Sequence, residues 1–155
     1  MDTHRVEQRI ERWKAATRAA GIKLTHQRTE IFRELAGSEA HPDAETLFRA
    51  VRERLPSVSL DTVYRTLWML HELGLIDTLG PRRDAIRFDP EPERHHHFVC
   101  VRCGLVRDFH SDALDELAMP ASVHDFGGVL EARVEVRGVC TSCRSEADDH
   151  DEEER

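Results

Sequence analysis

The sequence predicts an α+β fold, with an N-terminal winged helix-turn-helix followed by a smaller α/β domain. Three observations lead there. Before residue 75, four stretches set apolar residues at helical spacing between polar caps and glycine stops. Next, "LIDTLGPRRDAIRFD" holds two short apolar runs around a turn. Beyond "DPEPER" the pattern changes to short strands, paired cysteines and a period of two.

The helices come first. Val6, Ile10, Trp13, Thr17 and Ala20 follow a helical spacing that stops at Gly21. Thr25 caps a second helix, which buries Ile31, Phe32 and Leu35 and ends near Gly37. Asp43 is the N-cap of a third, where Ala44, Leu47, Phe48 and Val51 form an apolar stripe and Pro56 lies beyond the end. Ser59 caps the fourth, Gly74 closes it, and Leu60, Val63, Leu67 and Leu70 make its core face. Gly80, Pro81 and Asp84 then supply the turn of a β-hairpin. Packed helices followed by a hairpin make the winged helix. The two prolines and four charges of "DPEPER" mark a hinge.

The second domain opens with short strands over 98–101 and 105–109, then a helix over 112–118 that Pro120 limits. In "VLEARVEVRGV", Leu130, Ala132, Val134 and Val136 alternate with Glu131, Arg133, Glu135 and Arg137. That predicts a strand with one buried face. The segment is too small for a generous core, so a metal staple and a dimer partner would both help it fold.

Charge is uneven. The net of −8 divides into +1 over residues 1–90 and −9 over 91–155. The closing "EADDHDEEER" carries much of the acidity and reads as a disordered, solvated tail. The first half can therefore still present a basic face to phosphate. No apolar run reaches the length of a membrane span, and the start has no secretory pattern. The expectation is a cytoplasmic protein without a membrane partner. Its thiols then stay reduced, which favours metal over disulfides.

Cys100 and Cys103 form one Cys-x-x-Cys pair, and Cys140 and Cys143 the other. Four thiolates match tetrahedral Zn2+, in a closed site that contributes folding energy rather than catalysis. A thioredoxin-like pair is disfavoured, because neither motif follows a strand and opens a helix. A zinc deaminase would need His-x-Glu and Pro-Cys-x-x-Cys, and neither pair follows a proline.

"RHHHFVCVRCG" leaves the histidines free for other work. On an extended segment, His95 and His97 fall on one side and His96 on the other. Asp89 precedes them, Asp108 follows on the next strand, and His41 stands before the third helix. Nitrogen and oxygen donors of this kind suit Fe2+, Mn2+ or Zn2+. A merely solvated His-rich linker is the alternative. His96, His110 and His124 are left as spares, and His4, His26, His71 and His150 as structural or solvent-facing groups.

The order "KLTHQRTEIF", "AHPDAETLF", "VSLDTVYRTLWML", "RFD", "HHHFVCVRCG" and "VCTSC" resembles the Fur family of metal-responsive repressors, over residues 8–144. The resemblance implies a homodimer with a winged-helix DNA-binding domain over 1–88, a hinge over 89–94, a C-terminal α/β dimerisation and zinc-binding domain over 95–144, and the tail over 145–155. It implies structural Zn2+ on Cys100, Cys103, Cys140 and Cys143. It also implies regulatory Fe2+ or Mn2+ on His41, Asp89, His95, His97 and Asp108. Some members carry a further site, but Ala132 and Arg94 stand where two of its histidines would be, so none is expected here.

Within the family, Asp89 stands where zinc sensors tend to have Cys. Asp108 resembles the peroxide sensors, in which bound Fe2+ reacts with peroxide and a ligand histidine is oxidised; His41 and His95 match those positions. Arg65 instead matches the iron regulators. The closer branch is thus the peroxide-responsive one. Iron-responsive regulation is the alternative, and zinc- or manganese-uptake regulation stands further off.

The resemblance also implies recognition of double-stranded DNA with a palindromic operator. Residues 59–73 would be the recognition helix, with Asp61, Tyr64, Arg65 and Trp68 opposite its core face. Arg65 suits guanine and Tyr64 can pack on thymine methyls. Ser59 and Thr62 stand at the same helix start. Lys23 would reach the minor groove, and Arg28 would touch phosphate or pair with an acid on its own helix. Trp68 is expected to pack against neighbouring elements. Two rival classes have less support. A metalloenzyme would need an open coordination position and an acid/base group, so no catalytic residue is assigned. A metal buffer leaves the winged helix unexplained.

Overall fold

The computed structural model describes residues 3–79, 86–91, 93–130 and 132–145. The chain divides into two compact units between residues 92 and 93. The expected hairpin turn with Gly80, Pro81 and Asp84 lies outside the described residues, as do the acidic tail beyond 145 and His150.

The first unit is helical. It holds α1 (Thr3–Ala19), α2 (His26–Ala36), α3 (Ala44–Arg54) and α4 (Leu60–Glu72). The three expected N-caps accept backbone hydrogen bonds on their side chains: Thr25 from Arg28, Asp43 from Thr46 and Ser59 from Thr62. Gly21 and Gly74 adopt φ of 71° and 66°. Behind α1, Ile22 N–H donates to Thr17 O and Gly21 N–H to Arg18 O; behind α4, Leu75 pairs likewise with Leu70 and Gly74 with His71. Both helices thus end in a left-handed turn that glycine adopts without steric cost.

Packing follows the apolar stripes. Trp13, Ile31, Phe32, Leu35, Val51, Val63, Leu67, Leu70 and Phe88 are fully buried. The Trp13 and Phe32 rings meet edge to face, with centroids 5.8 Å apart. Removing each such large side chain from water stabilises the fold by about 1.5–3 kcal/mol. Ala20 departs from expectation: it is exposed, because the helix has already closed at Ala19. After α4, β1 (Asp77–Leu79) and β2 (Arg87–Asp89) pair antiparallel as the two sides of a wing. Trp68 packs edge to face on His71 and Phe88, as expected.

The second unit is a three-stranded sheet in the order β4-β3-β5. Here β3 (His96–Cys100) and β4 (Val106–Phe109) are antiparallel, while β5 (Glu135–Gly138) runs parallel to β3. Between them lie α5 (Asp112–Asp115) and α6 (Ala121–His124). This unit differs from the expectation in three places. The helix after residue 111 is only one turn, and α6 beyond Pro120 was not expected. The alternating segment forms a strand only over its last part, and its apolar face is partly open, with Leu130 fully exposed, Val136 at 41%, and Ala132 and Val134 half-buried. Alternation marks a face that must be covered but not by what. In this chain β5 is a sheet edge, and α5 and α6 are four residues each. Among the described residues of this unit, the buried apolar groups are Cys100, Val106 and Cys140, beside the buried imidazoles of His95, His96 and His97. No described helix is long and apolar enough to cross a membrane.

Candidate metal centre

The four cysteines converge. Cys100 ends β3, and a tight turn follows, with Gly104 N–H donating to Cys100 O and Cys100 N–H to Leu105 O. Gly104 has φ 71°, which lets the chain reverse and brings Cys103 back. The parallel pairing Cys100↔Gly138 sets Cys140 beside Cys100, and Cys143 sits in a last helical turn over 141–145. Arg102 ties that turn down by donating to Cys143 O at 2.7 Å.

All four sulfurs lie within 4.8 Å of one another, and Cys103 Sγ and Cys140 Sγ are 3.7 Å apart. A tetrahedral ion with Zn–S bonds of about 2.3 Å requires S···S edges of about 3.8 Å. The donor set and the spacing therefore fit Zn2+. The sulfurs differ in proton affinity. Backbone N–H donors, first from Cys103 and then from Cys140, lower the Cys100 thiol to about 6. Hydrogen bonding with the Cys103 thiol, then that of Cys140, pushes Cys143 up to about 12.

On the same unit, His95 and His97 turn to one side. Their Nε2 atoms are 2.8 Å apart. His97 is directly paired with Asp108 across β3 and β4, which puts both side chains on one face of the sheet. Asp108 Oδ1 is 3.6 Å from each Nε2. His95 Nδ1 donates to Glu93 O at 2.7 Å, so its Nε2 carries a lone pair and points at the cluster. These donor separations suit an ion with bonds of about 2.0–2.2 Å.

The first unit brings together a second pair. Phe88 N–H donates to Pro42 O at 3.0 Å, and Asp43 bridges Arg87 antiparallel. That short ladder holds His41 against the end of β2, with Nε2 3.6 Å from Asp89 Oδ1. Both side chains are buried. His41 adopts φ 47°, the left-handed region, directly before a proline. Asp89 Oδ1 also accepts from Glu91 N–H at 2.8 Å. Each unit thus carries part of the expected donor set, a pair on one and a triad on the other.

The expected DNA-facing residues lie mostly on α4. Tyr64 and Arg65 are exposed there, and Arg65 Nε is 3.0 Å from Asp61 Oδ2. Ser59 and Thr62 hydroxyls are 2.9 Å apart at its start. Lys23 is exposed. The Arg28 guanidinium folds onto the Lys23 carbonyl rather than onto an acid of its own helix. Sequence reasoning missed Asp115, which stands beside His96 and Arg94, because nothing in its spacing marks it.

A family model described as "Ferric uptake regulator family" matches residues 19–133. The chain is 34% identical over 142 residues to the peroxide-responsive repressor PerR of Staphylococcus epidermidis, covering 91% of this chain and 94% of that one. It is 32% identical to PerR of Staphylococcus aureus, covering 90% and 94%. Among solved structures, a zinc-bound manganese uptake regulator superposes with a TM-score of 0.66 at 29% identity, covering 83% of this chain and 98% of the other. The structure described as GAS PerR-Zn-Zn gives 0.51 at 27%, covering 88% and 87%. The Helicobacter pylori ferric uptake regulator gives 0.70 at 21%, covering 90% and 93%, a likeness of fold.

Proposed function

The chain belongs to the ferric uptake regulator family, and from that premise we propose that it is a metal-dependent transcriptional repressor that responds to peroxide. The family is one of transcriptional regulators that bind DNA and act as dimers. We read the chain as a regulator and not an enzyme: five protein donors leave little room for a substrate at the ion.

In this reading, Cys100, Cys103, Cys140 and Cys143 hold structural Zn2+. His41, Asp89, His95, His97 and Asp108 together hold one Fe2+ or Mn2+. Residues 1–88, 89–94 and 95–144 are the DNA-binding domain, hinge and dimerisation domain. The single observation that carries the reading is the His95–His97–Asp108 triad, a nitrogen-oxygen donor set free of sulfur. The kinship with repressors named peroxide-responsive adds the signal.

Donors drawn from both domains would fix the angle between them, and in a dimer the spacing of two recognition helices against a palindromic operator. Tyr64 and Arg65 would read base edges, with Lys23, Arg28, Ser59 and Thr62 on the backbone or groove. His95 is held for this work by its Nδ1–H bond to Glu93 O. When bound, Fe2+ would supply the reducing chemistry that turns hydrogen peroxide on a ligand imidazole, His41 or His95. Loss of either imidazole donor would release the domains and the operator.

Iron-responsive repression is the second reading, favoured by Arg65 in "TVYR". One experiment separates them. The protein is loaded anaerobically with Fe2+, bound to operator, and treated with dilute peroxide, and peptides holding His41 and His95 are weighed. A gain of one oxygen together with operator release supports peroxide sensing. Unmodified histidines with retained binding would leave iron sensing.

A further inference from the structure

The exposed face of α4 carries Asp61, Tyr64, Arg65 and Trp68, while Val63, Thr66, Leu67 and Leu70 point into the core. The exposed residues stand at i, i+3, i+4 and i+7. A helix lying along a major groove reaches base edges from that same set of offsets. Trp68 is therefore the last position of the reading face, one turn beyond Tyr64.

Both aromatic side chains of this face are open, Tyr64 at 41% and Trp68 at 38%. A lone exposed ring would signify little. Trp68 differs because its buried part is anchored. The indole meets Phe88 edge to face with centroids 5.9 Å apart, and His71 likewise at 5.5 Å. Phe88 is fully buried. His71 Nδ1 donates to Ile76 O at 3.2 Å, which fixes that ring in turn. An aromatic group held on one side and open on another binds with little further ordering cost. Large and uncharged, it suits the C5-methyl of thymine, the apolar mark in the major groove. Four residues advance a helix by about 6 Å, close to two base-pair steps of about 3.4 Å.

We propose that Trp68 is a second thymine-reading residue on α4, contacting a C5-methyl about two base pairs from the one under Tyr64. The operator half-site then carries a pair of required thymines at that spacing. This rests on the reading of the chain as a repressor and adds part of its sequence preference.

The test uses full-length, zinc-loaded protein with Mn2+ and a duplex selected from a random pool by the wild type. Each thymine is replaced singly by deoxyuridine, which lacks only the methyl group, and affinity is read by fluorescence anisotropy. Two positions in a half-site should each lose about fourfold, the worth of one buried methyl group. Tyr64→Ala should abolish the penalty at one of them, and Trp68→Ala the penalty at the other. A Trp68→Ala profile matching the wild type would overturn the proposal. Should that variant fold poorly, 5-fluorotryptophan in the wild type decides. The Trp68 19F resonance, assigned against Trp13 with Trp68→Phe, should move on the selected duplex, and less so when one of the two thymines is replaced. Trp13, sealed in the core, should keep its position. A Trp68 signal indifferent to both methyls would also overturn the proposal. Failure of the repressor reading looks different: the wild type would select no duplex in a Mn2+-dependent way, and this contact would fall with it.

Discussion

His41 Nε2 lies 3.6 Å from Asp89 Oδ1 because the Pro42–Asp43 segment runs as a short ladder along β2. The contact comes with strain. A buried non-glycine residue at φ 47°, held before a proline, costs about 1–3 kcal/mol. Such a cost persists where the surrounding structure over-determines it. Asparagine tolerates the left-handed region better than most residues. His41→Asn should therefore change the stability of the metal-free protein by less than about 1 kcal/mol while removing Mn2+-dependent operator binding. Denaturant melts and fluorescence anisotropy would check this, and a Mn2+ response kept intact would speak against the assignment.

Arg9 reaches toward this pair from α1 through Glu91. Its guanidinium donates to Ala36 O at 2.8 Å and to Glu91 Oε2 at 2.9 Å, and Glu91 N–H donates to Asp89. Arg9 and Glu91 side chains are each only 13% exposed. Arg9→Ala should cost about 1.5–3 kcal/mol, as expected for charge-assisted bonds away from water. It should also weaken the metal response severalfold, with every proposed donor left in place. A variant as stable as the wild type in urea would contradict the strap.

Asp43 caps α3 and adjoins His41. Burial works to raise its carboxyl, but hydrogen bonds from the Thr46 hydroxyl and backbone N–H outweigh it and hold it below the usual carboxylate range. A depressed folded value adds stability above the unfolded value, near 3.9, and that stability is lost as pH falls through the lower one. Asp43→Ala should cost about 1 kcal/mol at pH 7, and the gap should narrow as the solution is acidified below about pH 4. A gap constant with pH would show that the cap's charge is irrelevant.

Asp61 sets its carboxylate 3.0 Å from Arg65 Nε on the exposed face of α4. A surface pair of this kind adds little stability. Beside phosphate it subtracts positive charge and occupies the arginine. Asp61→Ala should tighten operator binding by about three- to tenfold at low salt, with the gain shrinking as ionic strength rises. Weaker binding would instead mean that Asp61 orients Arg65 for its base.

Much of the first unit was legible, because its signals are local. Thr25, Asp43 and Ser59 cap through their own side chains, and Gly21 and Gly74 stop helices by their own freedom. The donor types were legible too, since Cys-x-x-Cys and His-x-His fix which faces the sulfurs and imidazoles take. What stayed hidden depends on backbone hydrogen bonds. Glu93 O and Val134 N–H decide the tautomers of His95 and His96, and neither leaves a mark in side-chain spacing. The alternation over 129–139 promised an inward face, yet Leu130 lies open. A period of two records amphipathicity and is silent on which molecule covers it.

The most direct measurement is operator affinity against Mn2+ for zinc-loaded dimers of the wild type, Asp89→Ala and His97→Ala. The account predicts that Mn2+ drives the wild type onto DNA and that both variants lose that response while keeping zinc, because one ion needs donors from each unit. A full Mn2+ response in either variant would contradict it.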